Sequence, residues 1–305
     1  MTNEAFLKNL EVPKGKIDVV LDTDAYNEID DQFAISYLIK NTQKFNVKGI
    51  TAAPFFNSHS TSFADGMIKS YNEIINLLKL AGREDLIKHV YKGSDKVLDD
   101  ENTPVVSDAA YFLAELANEY DEENPLYIVA IGAITNVASA FIVNPSMKDK
   151  VVVVWLGGHA QHVPHAKEFN LYQDVPGARV IFNSGCPLVQ LPCWGVVDNF
   201  RVSKADLETF LKGKSPLADY LAKHSIEEAD SYALGKPWTR VIWDVTAVAW
   251  LLNDGERFMK SDIRPCPDVS DDYKYVYKEN RHAFRYVYSI ERDALMEDLF
   301  NVILR

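Results

Sequence analysis

The sequence predicts an α/β fold, a mainly parallel open sheet with helices on both faces. Two observations carry that prediction. Short β-branched runs alternate with longer amphipathic stretches, the pattern left by successive βαβ units. Several of those runs, VVVVWL at 151–156 above all, are apolar without alternation, as strands covered on both faces are.

Taken in order, KIDVVLD reads as the first strand and DDQFAISYLIKN as the helix behind it. NVKGITAA is the second strand, and a long helical segment runs from Ser60 to Leu80. LYIVAIG leads into the helix TNVASAFIV, and KVVVVWLGG into the helix within VPGARVIFNS. From Lys204 to Asp230 the chain is helical but more polar, which predicts a helical subdomain near 204–230 laid over the sheet. No run rich in Gly, Pro or Ser divides the chain and no internal repeat is present, so residues 1–305 are expected to form one domain.

Composition narrows the partners. The 305 residues are 47% hydrophobic and 25% charged, enough to bury a large core. A formal net charge of −12, with no block rich in Lys or Arg, argues against nucleic acid and against an anionic membrane surface. A small neutral or cationic ligand, or a metal, fits better. MTNEAFLKNLEVPKGK has no apolar signal core and the apolar runs are too short to span a bilayer, so the expected location is cytoplasmic, with no membrane partner. Cys186, Cys193 and Cys266 are an odd number without a C-x-x-C pair, which reads as buried free thiols.

In open parallel sheets ligands bind beyond the carboxyl ends of the strands. The residues to inspect are therefore Asp22 to Asp31, Ala53 to Asn57, Gly132 to Asn136 and Gly157 to Asn170. The first of these is the densest in chemistry: VVLDTDAYNEIDDQFAI holds Asp22, Asp24, Glu28, Asp30 and Asp31. An EF-hand loop starting at Asp22 fails, because Asn27 and Phe33 stand where Gly and Glu are required. A Mg²⁺-dependent phosphotransferase would also begin with Asp-x-Asp, but no clear second acidic pair follows a later strand. A calcium site at a strand end explains the charge density, since packed carboxylates repel unless a cation neutralises them. Helix capping accounts for Asp30 but gives no use for Asp22 and Asp24.

With those residues in view, the chain resembles the calcium-dependent, inosine-uridine preferring nucleoside hydrolases, N-ribohydrolases with a Rossmann-like core. Asp22-Thr23-Asp24 and Asp30-Asp31 are similar to that family's Asp-Thr-Asp-Pro-Gly-x-Asp-Asp, with AYNEI between them where three residues are usual. ITAAPFFN places Asn57 on a sugar-binding asparagine, with Phe56 in place of the usual glycine. AIGAITNVASA places Thr135 on the residue whose backbone carbonyl binds the metal. WLGG followed by KEFNLYQDVPGARV places Glu168 and Asn170 on sugar-binding positions, and RVIWDVTAVAWL places Asp244 on a distant carboxylate ligand.

The resemblance implies Ca²⁺ held by Asp24, Asp31, Asp244 and the Thr135 carbonyl, with Asp22 or Asp30 supporting and Asp30 on the substrate side. It implies Asp24 as the general base toward a Ca²⁺-bound water, and an oxocarbenium-like transition state. The acid familiar at the position before the late Asp is replaced by Trp243, while the loop from Gly157 to Asn170 carries His159, His162 and His165. His162 or His165 is therefore expected to protonate the leaving base, or Trp243 to stack on it. A homo-oligomer, dimer or tetramer, is also implied. Two other classes remain as alternatives: a non-catalytic metal- or ligand-binding protein of this fold, and, ranked last, a Mg²⁺-dependent phosphohydrolase.

Overall fold

A computed structural model describes residues 1–305. Twelve strands form in chain order: β1 Ile17–Thr23, β2 Phe45–Ala52, β3 Val90–Lys92, β4 Leu126–Ala130, β5 Val151–Leu156, β6 Leu188–Leu191, β7 Arg201–Ser203, β8 Thr239–Val241, β9 Met259–Pro265, β10 Asp268–Val269, β11 Tyr275–Val276 and β12 Ala283–Ile290. Eight of them make the central sheet, in the order β3-β2-β1-β4-β5-β6-β12-β9. All neighbours are parallel except β12 and β9.

The strands expected from KIDVVLD, NVKGITAA, LYIVAIG and KVVVVWLGG are β1, β2, β4 and β5, and the expected helices form at Asp30–Lys40, Phe63–Leu80, Thr135–Val143 and Val175–Asn183. Every residue of β4 and β5 is buried, because apolar clusters cover both faces of the sheet. Val152 and Val154 belong to one cluster and Val151 and Val153 to the other, the period-two division that a strand imposes. The antiparallel edge made by β9 and β12 is an addition to the predicted pattern. Arg264, Arg285 and exposed positions interrupt its apolar runs, so composition alone did not mark it.

The helices Lys204–Phe210 and Pro216–Ala233 put Leu207, Leu217, Leu221 and Ala222 into the same apolar cluster as β1 and β2. No helix is long and apolar enough to cross a membrane.

Sheet order fixes where a ligand can sit. The chain winds outward from β1 through β2 to β3 on one side, and from β4 through β5 to β6 on the other. The direction reverses between β1 and β4, so their carboxyl ends diverge into a crevice. The acidic segment begins at the end of β1, at that point.

Candidate active site

Asp22 and Thr23 are the last residues of β1, and both are fully buried between β2 and β4. Asp22 Oδ1 accepts hydrogen bonds from Thr51 Oγ1 at 2.6 Å and Asn136 Nδ2 at 2.8 Å. Asn136 also donates to the Ala52 carbonyl at 3.1 Å and accepts the Ser94 N–H at 2.8 Å, so it ties together the ends of β1, β2 and β3. Asp22 Oδ2 has no partner, and burial pushes this carboxyl up to about 6.

Beyond β1 the chain turns, with the Asn27 N–H donating to the Asp24 carbonyl at 2.7 Å, and enters the helix Asp30–Lys40. Asp30 and Asp31 occupy the first helical turn, where the helix dipole favours negative charge. Ile29, not an acidic residue, holds the capping position. Both carboxylates are buried, and Asp31 accepts a hydrogen bond from the Thr23 hydroxyl. Asp244 arrives from the start of the helix Val245–Trp250 and brings its carboxylate close to that of Asp31. Carboxylate oxygens of Asp30, Asp31 and Asp244 all lie within 4.8 Å of one another.

Asp24 stands outside that set of three, though near enough to feel the charge of Asp31 and Asp30. It is 1% exposed, and neither of its carboxylate oxygens has a hydrogen-bond partner. Gly132, just past β4, allows this packing, since a Cβ there would lie 3.0 Å from Asp24 Oδ1. Burial, and then the negative neighbours, hold Asp24, Asp30 and Asp244 well above the usual carboxylate range, while burial raises Asp31 to about 7. Buried, mutually repelling carboxylates with unpartnered oxygens are the surroundings a hard divalent cation would satisfy. All the donors are oxygen, which suits Ca²⁺ and argues against a soft metal.

Thr135 opens the helix Thr135–Val143 behind β4, and its hydroxyl donates to Asp174 Oδ2 at 2.5 Å. The atom the expected role requires is its backbone carbonyl, which this bond leaves untouched.

A cavity of about 350 Å³ adjoins the acidic cluster, and Asp30, Asp244, Glu168, Asn170 and Trp243 line it. Glu168 caps the helix Phe169–Gln173 and accepts the N–H groups of Gly158, Asn170 and Leu171 at 2.9, 2.9 and 3.1 Å. Burial lifts its carboxyl to about 6 against those three donors. Asn170 Nδ2 donates to the carbonyls of Ile131 and Leu156 at 3.0 and 3.1 Å, which leaves Oδ1 as the atom it can offer a ligand. Of the histidines, His165 and His159 line the cavity. His162 does not; it is exposed and lies against Gly195, where a Cβ would come within 2.8 Å of its ring. Asn57 is also outside the lining, and Asn27 takes a place there instead.

The structure adds residues that strand-end inspection had passed over. Trp194, just past β6, stacks on His159 with ring centres 4.7 Å apart and planes 9° from parallel, and burial lowers His159 to about 4. The apolar run PLVQLP was the available signal for this strand end. Cys193, also in the lining, is buried and held well above the ordinary thiol range, first by burial and then by the nearby charge of Glu168. Arg240, 6% exposed, reaches Glu28 at 3.0 Å and Glu228 at 3.1 Å, and so anchors the inserted AYNEI segment from 212 residues away.

Comparison with known proteins agrees with this architecture. Pyrimidine-specific ribonucleoside hydrolase RihA of Salmonella schwarzengrund is 28% identical over 138 residues, 43% of this chain and 44% of that protein. The matched segment thus spans less than half of the curated relative. Among solved structures, a plant nucleoside hydrolase, PpNRh1, superimposes with a TM-score of 0.75 at 20% identity, over 94% of this chain and 99% of its own. A purine-preferring ribonucleoside hydrolase from Gardnerella vaginalis gives 0.73 at 18% identity, over 94% and 99%. The model of the inosine-uridine preferring nucleoside hydrolases matches residues 19–295, taking in both the β1 acids and the distant Asp244 that meets them, and the chain belongs to that family.

Proposed function

We propose that this protein hydrolyses the N-glycosidic bond of a nucleoside or a close relative, using a calcium ion held by Asp24, Asp31, Asp244 and the Thr135 carbonyl. The observation that carries the reading is Asp24: buried, with both oxygens unpartnered and under the charge of Asp31 and Asp30, while Asp30 and Asp244 of the neighbouring acidic trio line a cavity of nucleoside size. When bound, calcium supplies positive charge that keeps these carboxylates ionised and makes a nearby water more acidic.

Asp24 is the base that takes a proton from the attacking water. Asp30, Glu168 and Asn170 are assigned to the sugar, Glu168 with its carboxylate already fixed by three backbone donors, whereas Asn57, outside the cavity lining, reaches a sugar only through a neighbouring residue. Negative charge around the anomeric carbon favours the developing oxocarbenium ion. Two groups of the lining serve the leaving base. Trp243 offers a ring to stack on it, and His165, whose Nδ1 accepts the Lys167 N–H at 3.3 Å, keeps Nε2 free to hold a proton. His162, also considered for this step, would need the loop to move before it could reach the cavity. Three free, buried cysteines support a reducing, cytoplasmic setting, and a homo-oligomeric state follows the family resemblance.

Incubating the protein with a panel of ribonucleosides and measuring released reducing sugar tests the reading. Release that stops with a chelator, returns with calcium and is lost in Asp24→Asn is expected. Tight calcium binding without release would instead favour a non-catalytic binding protein, and activity confined to phosphate esters a phosphohydrolase.

A further inference from the structure

We propose that Asn27, carried on the inserted AYNEI segment, is the amide that contacts a ring hydroxyl of the sugar, and that Asn57 is a positioning residue acting through it. The inference rests on the nucleoside hydrolase reading and deepens it at one subsite.

The hydrogen bonds fix the orientation of both amides. The His59 N–H donates to Asn57 Oδ1 at 2.8 Å. A backbone N–H can only donate, so Asn57 must turn Oδ1 toward it and Nδ2 the other way. That Nδ2 meets Asn27 Oδ1 at 2.5 Å and the Asn27 carbonyl at 3.4 Å. Asn27 must therefore present its acceptor to Asn57. Its other polar groups are also engaged: its N–H donates to the Asp24 carbonyl at 2.7 Å, and its own carbonyl lies 2.8 Å from His59 Nδ1. Only Nδ2, with two N–H donors, remains for a ligand.

Asn27 lines the cavity and Asn57 does not. A sugar hydroxyl both donates and accepts, so it can give its proton to the Asp30 carboxylate, which also lines the cavity, while its oxygen accepts from Asn27. The two extra residues of the insertion thus exchange an asparagine that could both donate and accept for one that only donates, held by the residue it displaced. A ligand group at this position must offer an oxygen acceptor.

A double-mutant cycle on kcat/KM decides the point, using Asn27→Ala, Asn57→Ala, the combined variant and Asn27→Asp, with melting temperatures to verify folding. Losing one such hydrogen bond is expected to lower kcat/KM on ribonucleosides about tenfold in Asn27→Ala. Asn27→Asp keeps the size but offers only acceptors, and is expected to lose as much. Adding Asn57→Ala to Asn27→Ala should change little, within about twofold, because Asn57 acts only through Asn27. Of the 2′- and 3′-deoxynucleosides, the one lacking the contacted hydroxyl should be cut equally by wild type and Asn27→Ala.

Activity within about twofold of wild type in Asn27→Ala, full activity in Asn27→Asp, a further tenfold loss from Asn57→Ala in the combined variant, or a tenfold penalty persisting on both deoxynucleosides each overturns the inference. In those cases sugar release by wild type leaves the hydrolase reading standing. Wild type inactive on all nucleosides overturns that reading, and this inference with it.

Discussion

Asp31→Asn is expected to raise the thermal stability of the metal-free protein while abolishing its response to calcium. Burial holds the Asp31 carboxyl at about 7, against an ordinary value of 3.8. At pH 7.5 folding must therefore force a charge where burial resists it, at a cost of up to about 4 kcal/mol. Asparagine removes that charge, keeps the size and still accepts from the Thr23 hydroxyl. Allowing for relaxation around the site, a gain of about 2–4 kcal/mol follows, or a rise of about 3–6 °C in a chain of this length. The pH dependence has a definite sign. A carboxyl raised on folding adds stability that is complete below 3.8 and is lost as pH rises through about 7, so the variant's advantage should shrink as pH falls toward 5. Asp22→Asn is the comparator. Its carboxyl stands at about 6, so it too should stabilise the metal-free protein at pH 7.5, by up to about 3 kcal/mol. Asp22 is not an assigned ligand, so calcium should still raise the melting temperature of that variant, by binding the folded state alone. Scanning calorimetry in chelator and in calcium, at both pH values, reads all of this. A lower metal-free melting temperature for Asp31→Asn at pH 7.5, or an equal calcium response in both variants, would refute the reasoning.

Trp243→Ala should cost about tenfold or more in kcat on nucleosides whereas Trp243→Phe stays within about threefold, as stacking on the leaving base requires; His165→Ala should also lower kcat, while His162→Ala, outside the cavity, should leave it unchanged. Arg240→Met should lower the urea midpoint by the equivalent of about 1–3 kcal/mol, less than for a wholly buried pair because Glu28 is 47% exposed. Arg240→Lys should not restore it, since one ammonium lacks the fork that spans Glu28 and Glu228; an unchanged midpoint in Arg240→Met would show that the insertion is held by other contacts.

How much of this was legible in the chain follows from the range of each signal. Apolar runs such as VVVVWL and the helical stretches between them are local patterns, and β1, β2, β4 and β5 with their following helices fall where those patterns lie. The density of acids after β1 is equally local, and so was visible as a site. Glu168 marks a boundary: its place on the cavity could be expected from the resemblance, but its service as a buried helix cap depends on the N–H groups of Gly158, Asn170 and Leu171 converging on it.

The sequence by itself determined the parallel strands β1, β2, β4 and β5, the family and the carboxylates at the end of β1, because hydrophobic period and residue spacing are written along the chain. Tertiary structure alone decided which groups share the cavity. It set Asn27 in front of Asn57, brought His159 and His165 to the lining and left His162 outside, and added Trp194 from the end of β6. It also delivered Arg240 to Glu28 across 212 residues. The physical reason is that a side chain's partners depend on strand order and on the burial of groups far away in sequence, and a two-residue insertion can redirect them without altering any local pattern.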